Sequence, residues 1–255
     1  MFELKGKVAV VSGASSGLGA DAARAYAQQG AHVALLARRK DKLEALAAEL
    51  EPMGVRVLAV PCDVTDENQV KAAVETIIKE FGRIDILLNN AGVAVGGGVH
   101  TLTQEDWDRS MNVNVKGIFL PCKYVVPYMM EQGYGKIVNI GSINATIGDK
   151  HDALIRHSYN TSKSAVLGLS LAMAASYAKH NITVNTVCPA LFESEMTQDK
   201  IFKSDDSLAA YNARNPMGRP GGRGELNGTI LYLSSDASSY VTGQVIYVDG
   251  GRSVV

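Results

Sequence analysis

Residues 8–30 read VAVVSGASSGLGADAARAYAQQG: a β-branched apolar run, a turn carrying Gly13, Gly17 and Gly19, and an alanine-rich stretch of helical spacing. A strand that feeds a helix through a glycine-rich turn is the repeating unit of doubly wound α/β sheets. The backbone of Gly13, Ser15, Ser16, Gly17, Leu18 and Gly19 can approach a pyrophosphate closely, and the N–H groups and dipole of a helix start favour that anion. The spacing is G-x-x-x-G-x-G rather than G-x-G-x-x-G. Glycine also suits such turns for steric reasons alone, so the turn by itself leaves both readings open.

Further apolar, β-branched runs lie at residues 33–36, 55–60, 84–88, 137–140, 182–187 and 245–248, and with 8–11 they predict seven strands. Between them, stretches such as 41–50 (DKLEALAAEL) and 70–81 place apolar residues three and four apart, as helices do. Strands this continuously apolar are covered on both faces, which predicts an α/β fold: a doubly wound, Rossmann-type parallel sheet between two helix layers. No linker, repeat or low-complexity tract divides the chain, so residues 1–255 are expected to form one domain. Residues 193–223 mix Met, Phe, Asp, Asn, Pro and Gly without a period, and are expected to form a mobile flap over a site.

Of the 255 residues 46% are hydrophobic and 20% charged, which excludes a disordered chain. With 25 Lys and Arg against 26 Asp and Glu, no general attraction to nucleic acid or an anionic membrane is expected. The start, MFELKGK, has no apolar leader core, and no run approaches the roughly 18 apolar residues of a membrane span. A soluble, cytoplasmic protein is expected. Cys62, Cys122 and Cys188 are odd in number and far apart, suggesting buried reduced thiols rather than disulfides or a metal site.

The second strand runs into Ala37, Arg38, Arg39 and Lys40. A carboxylate at its end would bind the 2′-OH of NAD(H); alanine does not, while the Arg38 guanidinium, with Arg39, suits the 2′-phosphate of NADP(H). The other reading is a solvated basic helix start. Past the third and fourth strands stand CDVT (62–65) and NNAG (89–92). Asp63 can accept from an adenine amino group, Ala91 and Gly92 admit close backbone approach, and Asn89 and Asn90 can contact the ligand or tie loops together. Ser142 follows the fifth strand, and Tyr159 and Lys163 in YNTSK are four apart on one helix face. A phenol of pKa ~10 beside an ammonium is lowered toward useful acid/base chemistry, so Tyr159 can exchange a proton with a carbonyl or alcohol oxygen that Ser142 holds. Alone, such a pair is an ordinary surface contact.

Taken in order, SGASSGLG, CDVT, NNAG, the Asn114 of NVKG, Gly141-Ser142, YNTSK, the Pro189 loop and TGQVIYVDGG resemble the short-chain dehydrogenase/reductase family over nearly the whole chain. The resemblance implies a tetrad of Asn114, Ser142, Tyr159 and Lys163, with Asn114 holding a water that links Lys163 to solvent and Lys163 bonding the nicotinamide ribose. It implies cofactor contacts from Val64, Pro189, Phe192 and Ser194 as well. The activity implied is hydride transfer between NADP(H), or NAD(H), and a small-molecule carbonyl or secondary alcohol: a hydroxysteroid, a 3-oxoacyl thioester, or a sugar or polyol. A homotetramer or homodimer is implied too. A different class, a non-catalytic dinucleotide-binding redox sensor or scaffold, has no need of the tetrad.

Some positions depart from the family pattern. Ser12 replaces threonine and keeps the hydroxyl. Ala190 replaces glycine, which restricts the backbone, and Ser194 replaces threonine while keeping a group for the carboxamide. The stretch 148–157 is longer than usual; its His151, Arg156 and His157 can meet an acidic group or form a solvated loop. The glycine turn carries neutral Ser15 and Ser16 where NADP-preferring members often have a base. Met196, Ile201, Phe202, Leu208 and Tyr211 in the flap favour a ligand with an apolar body, or are simply packing.

Overall fold

The computed structural model describes residues 2–149, 154–198 and 205–255. His151 of the long stretch, Ile201 and Phe202 of the flap, and the Met196 side chain lie outside what is described. The seven strands are β1 (Val8–Ser12), β2 (His32–Ala37), β3 (Val57–Pro61), β4 (Ile86–Asn89), β5 (Gly135–Ile140), β6 (Ile182–Pro189) and β7 (Val245–Val248). They form one parallel sheet in the order β3-β2-β1-β4-β5-β6-β7. The expected runs at 55–60 and 84–88 are each displaced toward the C-terminus; just before β4 the Asp85 carboxylate accepts the Val8 N–H at 2.9 Å and pairs with Arg83.

Period-two alternation sends successive side chains into two separate cores. Ala9 and Val11 enter one with Val33 and Leu35, packed beneath α1 (Gly17–Gln28), α2 (Lys40–Leu50) and α9 (Asn227–Ser234). Val10 enters the other with Ala34 and Leu36, beneath α3 (Glu67–Phe81), α5 (Gly117–Gln132) and α6 (His157–Tyr177). The fold is thus the doubly wound sheet that the apolar runs predict. Between β4 and α5 lies α4 (Gln104–Met111), joined to α5 by a π-helical turn, Asn112–Lys116. The described residues of 193–223 are more regular than expected, containing α7 (Glu195–Gln198) and α8 (Asp205–Asn212).

Strand order reverses at β1, whose neighbours are β2 and β4, so a crevice opens beyond the carboxyl ends of these strands, where ligands of such sheets bind. No helix among the described residues is long and apolar enough to cross a membrane. All three cysteines are buried free thiols.

Candidate active site

At the switch point the β1–α1 turn is held from below. The Ser12 hydroxyl accepts the N–H groups of Asn90 at 3.0 Å and Ala91 at 3.1 Å, and Asn90 Nδ2 donates to the carbonyls of Ser12 and Gly13 at 3.1 and 3.3 Å. The hydroxyl kept at Ser12 is therefore a working part of the turn. Gly13 has φ +68°, and a Cβ there would lie 2.9 Å from Ala91 Cα; at Gly19 a Cβ would run into the Gly13 carbonyl and the Asn90 amide. Gly17, at φ +53°, faces Ser194 across the site. The glycines close the turn sterically and at the same time bare its backbone.

Toward the far edge, Arg39 rather than Arg38 reaches the turn. Its Nη2 donates to Ser15 Oγ and Ser16 Oγ at 3.0 Å each and pairs with Glu195 Oε2 at 2.7 Å, which lowers the Glu195 carboxyl. Arg38 is exposed beside them, and Ala37 is buried at the strand end. Asp63 Oδ1 is engaged within its own turn, accepting Thr65 N at 2.9 Å and Thr65 Oγ1 at 2.8 Å. Asn89 resolves to the structural reading: it is buried and donates to Asn139 Oδ1 at 2.9 Å.

The presumed chemical residues meet over the ends of β4 and β5. Ser142 caps a short 3-10 turn and its Oγ accepts Asn144 N at 3.1 Å. Tyr159 stands on the first turn of α6, half-buried, and one turn later Lys163 is buried and donates to the Ile140 carbonyl at 2.8 Å. Asn114, fully buried in the π turn, accepts Val93 N at 2.8 Å and donates to Val93 O at 3.0 Å and Ser162 Oγ at 2.9 Å. Both of its amide hydrogens are consumed; a lone pair of Oδ1 remains. Gly92 keeps the space between them open, for a Cβ there would lie 3.3 Å from Asn114 Oδ1 and 3.7 Å from Lys163 Nζ.

Burial raises the Tyr159 phenol, opposed by the Ser142 hydroxyl and then by the charge of Arg156. The lowering by Lys163 that helix spacing suggests is not found in the chain alone, because the ammonium is itself desolvated: burial brings Lys163 down to about 8. Lys163 ordinarily titrates at 10.5, so between about pH 8 and 10.5 the unfolded chain holds a proton that the folded one has released. The contribution of Lys163 to the stability of the protein without cofactor therefore rises with pH in that window, against the opposite contribution of the three raised thiols above about pH 9. Lys163→Met should flatten this rise in urea titrations at stepped pH; an unchanged slope would assign it to another group.

Pro189 to Ser194 complete the wall. Ala190 needs no unusual backbone: among the described residues Asn181 is the sole non-glycine residue with positive φ. Phe192 is buried against Gly221, where a Cβ would enter its ring. Ser194 Oγ shares a hydrogen bond with Thr197 Oγ1 at 3.1 Å. One cavity of about 1070 Å³ joins Gly13, Ser15, Ser16, Gly17, Leu18, Arg38, Arg39, Asp63, Val64, Asn90, Ala91 and Gly92 to Ser142, Tyr159, Lys163, Pro189, Phe192 and Ser194. Asn114 stands just behind that wall, reaching it through Val93.

A family model described as Enoyl-(Acyl carrier protein) reductase matches residues 13–253. The chain belongs to the short-chain dehydrogenase/reductase family. It is similar to a 3-oxoacyl-(acyl-carrier-protein) reductase of Thermotoga maritima, 40% identical over 250 residues that cover 98% of this chain and 99% of that one. A gluconate 5-dehydrogenase of Gluconobacter oxydans is 36% identical, covering 100% of this chain and 97% of its own. The structure of a gluconate 5-dehydrogenase from Burkholderia cenocepacia, in complex with NADP and tartrate, superposes with a TM-score of 0.94 at 32% identity over 100% of this chain and 98% of that one. As a short-chain dehydrogenase/reductase, the protein is an oxidoreductase that works with NAD(P) between carbonyl and CH–OH groups.

Several residues of this short-chain dehydrogenase/reductase's cavity escape a reading by motif. Arg109, Asn112 and Val113 come from α4 and the π turn, Asp149 and Leu154 from the long stretch, and Glu195 and Thr197 from α7. His157 is not free to meet a ligand through Nδ1, which accepts Val99 N at 2.9 Å.

Proposed function

We propose that the protein reduces a ketone to a secondary alcohol with NADPH, using Tyr159 as proton donor. The observation that carries this reading is the single cavity that joins the glycine turn to Ser142, Tyr159 and Lys163. The donor set fits a dinucleotide: glycine positions that a Cβ would block, backbone N–H groups at the α1 start, and Ala37 flanked by two guanidinium groups. The turn from Gly13 to Gly19 would hold the pyrophosphate, Asp63 and Val64 the adenine, and Asn90, Ala91, Gly92, Pro189, Phe192 and Ser194 the nicotinamide half. The dinucleotide supplies the hydride in reduction and takes it up in oxidation.

In the free chain Tyr159 is raised, so its phenol is protonated at neutral pH, the form that reduction consumes. Ser142 Oγ accepts Asn144 N at 3.1 Å and donates a long 3.4 Å bond to Asn144 Oδ1, which it would exchange for the substrate's carbonyl oxygen. Tyr159 gives that oxygen its proton as the carbon gains hydride. Lys163 keeps two ammonium hydrogens after its bond to Ile140 O, one for the nicotinamide ribose and one toward the Asn114 side of Gly92, through which proton exchange with solvent passes.

The preference for NADP(H) over NAD(H) rests on Arg38 and Arg39 beside Ala37. Arg38→Ala is expected to raise the Kd of NADPH by about tenfold to hundredfold, the worth of a charge-assisted pair, and to spare NADH. Equal losses for both would remove the 2′-phosphate argument. A hydroxysteroid, a 3-oxoacyl thioester and a sugar or polyol are the substrate classes in view, and NADPH oxidation across that panel tests the activity. A homotetramer is supported by the exposed apolar Phe119 on α5, Leu171 on α6, and Val245 and Tyr247 on the outer strand β7. The cytoplasm is proposed as its place, since three unpaired thiols suit a reducing compartment.

A further inference from the structure

The two ends of the cavity differ in charge. At the adenosine end the cations Arg38 and Arg39 are matched in number by Asp63 and Glu195, and Arg39 is paired with Glu195. At the end that holds Tyr159, the lining cations are Lys163, which is tied to the Ile140 carbonyl, Arg109 and Arg156, and the lining carboxylate is Asp149, which pairs with Arg214 at 3.6 Å. Neither Arg109 nor Arg156 has an ion pair among the described residues. Arg156 is half-buried there and Arg109 is exposed, and both guanidinium groups have donors that can meet an anion in the cavity.

Local structure holds this pair in place. Arg156 is the N-cap residue of α6, bridged to Gly97 through the backbone, and it precedes Tyr159 by three positions. Arg109 lies in the last turn of α4, and its neighbour Ser110 makes a buried 2.9 Å hydrogen bond with Ser158, which ties that turn to the first turn of α6. The charge of Arg156 bears on the Tyr159 phenol and both side chains line the same end of the cavity, so a group bound to Arg156 shares that end with the reacting oxygen.

We propose that Arg156 and Arg109 form a carboxylate-binding subsite, and that the substrate is an oxo acid, or the corresponding hydroxy acid, whose carboxylate lies a short carbon chain away from the carbonyl. The inference rests on the reading of Tyr159 as proton donor. The reaction balances simply: the ketone carbon gains hydride, its oxygen gains the Tyr159 proton, the dinucleotide leaves oxidised, and the carboxylate is unchanged. The acyl end of a thioester brings no negative charge to the two guanidinium groups, and a steroid buries them under apolar surface. A sugar acid satisfies them.

The test compares matched pairs with NADPH in excess: 3-oxobutanoate against its methyl ester, and 5-oxogluconate against fructose. Each is measured with the wild type, Arg156→Met, Arg109→Met and Arg156→Lys. The expected result is kcat/KM at least tenfold higher for the acids in the wild type. In Arg156→Met the KM for the acid should rise about tenfold to hundredfold while the ester's KM stays unchanged, with partial recovery in Arg156→Lys. Any effect of Arg156 on the phenol alone would change kcat for acid and ester alike, which separates the two roles. A wild type that uses ester and acid equally, or an acid KM indifferent to both arginines, overturns the subsite. Tartrate binding to the NADP-loaded protein by calorimetry supplies an arm that needs no turnover: retention of binding in the Arg156→Met, Arg109→Met double variant overturns the subsite. Failure of every ketone in the panel, with tartrate binding still dependent on both arginines, counts instead against the proton-donor reading.

Discussion

Tyr159→Phe is expected to lower kcat for ketone reduction by about 10²–10⁴-fold while leaving the Kd of NADPH within about twofold. Phenylalanine fills the same half-buried place at the start of α6 and removes only the hydroxyl. Of the other titratable groups near Ser142, Lys163 is held to the Ile140 carbonyl by one of its hydrogens, and the Cys188 thiol is buried and pushed up to about 11. The pH profiles of the wild type carry the same information. Because burial raises the phenol, reduction should be flat through neutral pH and decline at alkaline pH, whereas alcohol oxidation, which needs the phenolate, should climb over the same interval. Single-turnover NADPH oxidation by the variant is the direct check. A variant with more than about a tenth of wild-type kcat would remove Tyr159 from the chemistry, since a positioned acid contributes at least a hundredfold.

The sheet was legible because its signal is local: runs such as 8–11 and 137–140 are β-branched and apolar without interruption, and the helices between them have their own period. That Ser142, Tyr159 and Lys163 line one cavity with Asn114 just behind it was expected from motif order, and the adjacency of Tyr159 and Lys163 also from helix spacing. What sequence could not supply were partners brought in from distant segments. That Arg39 crosses to Ser15 and Ser16, that Asn90 ties the glycine turn, and that His157 is claimed by Val99 all depend on loops whose meeting is set by the sheet. Arg109 belongs to no motif and lies on the mostly exposed α4, whose last turn the Ser110–Ser158 bond ties to α6. The electrostatic step was misjudged for a related reason. Four-residue spacing gives proximity, but how strongly Lys163 acts as an ammonium depends on its burial, which spacing does not report.

Gly19→Ala carries the other large expected effect, and it decides between the two readings of the glycine turn. An added Cβ meets the Gly13 carbonyl and the Asn90 amide, and the first of these is backbone that cannot swing aside. Asn90 is itself bonded to the carbonyls of Ser12 and Gly13, so relief requires moving the turn against β4. Overpacking of this kind costs about 1–3 kcal/mol, and denaturant titration of the protein without cofactor should show it. The same displacement shifts the N–H groups at the start of α1, so the Kd of NADPH and of NADH should rise together, by about a hundredfold. The joint loss separates this variant from Arg38→Ala, which acts on one dinucleotide. If stability fell while both dinucleotides bound unchanged, Gly19 would serve packing alone and the pyrophosphate would have to lie elsewhere. The opposite pattern, weakened binding at full stability, would show that the turn yields easily and that glycine is kept there for the ligand.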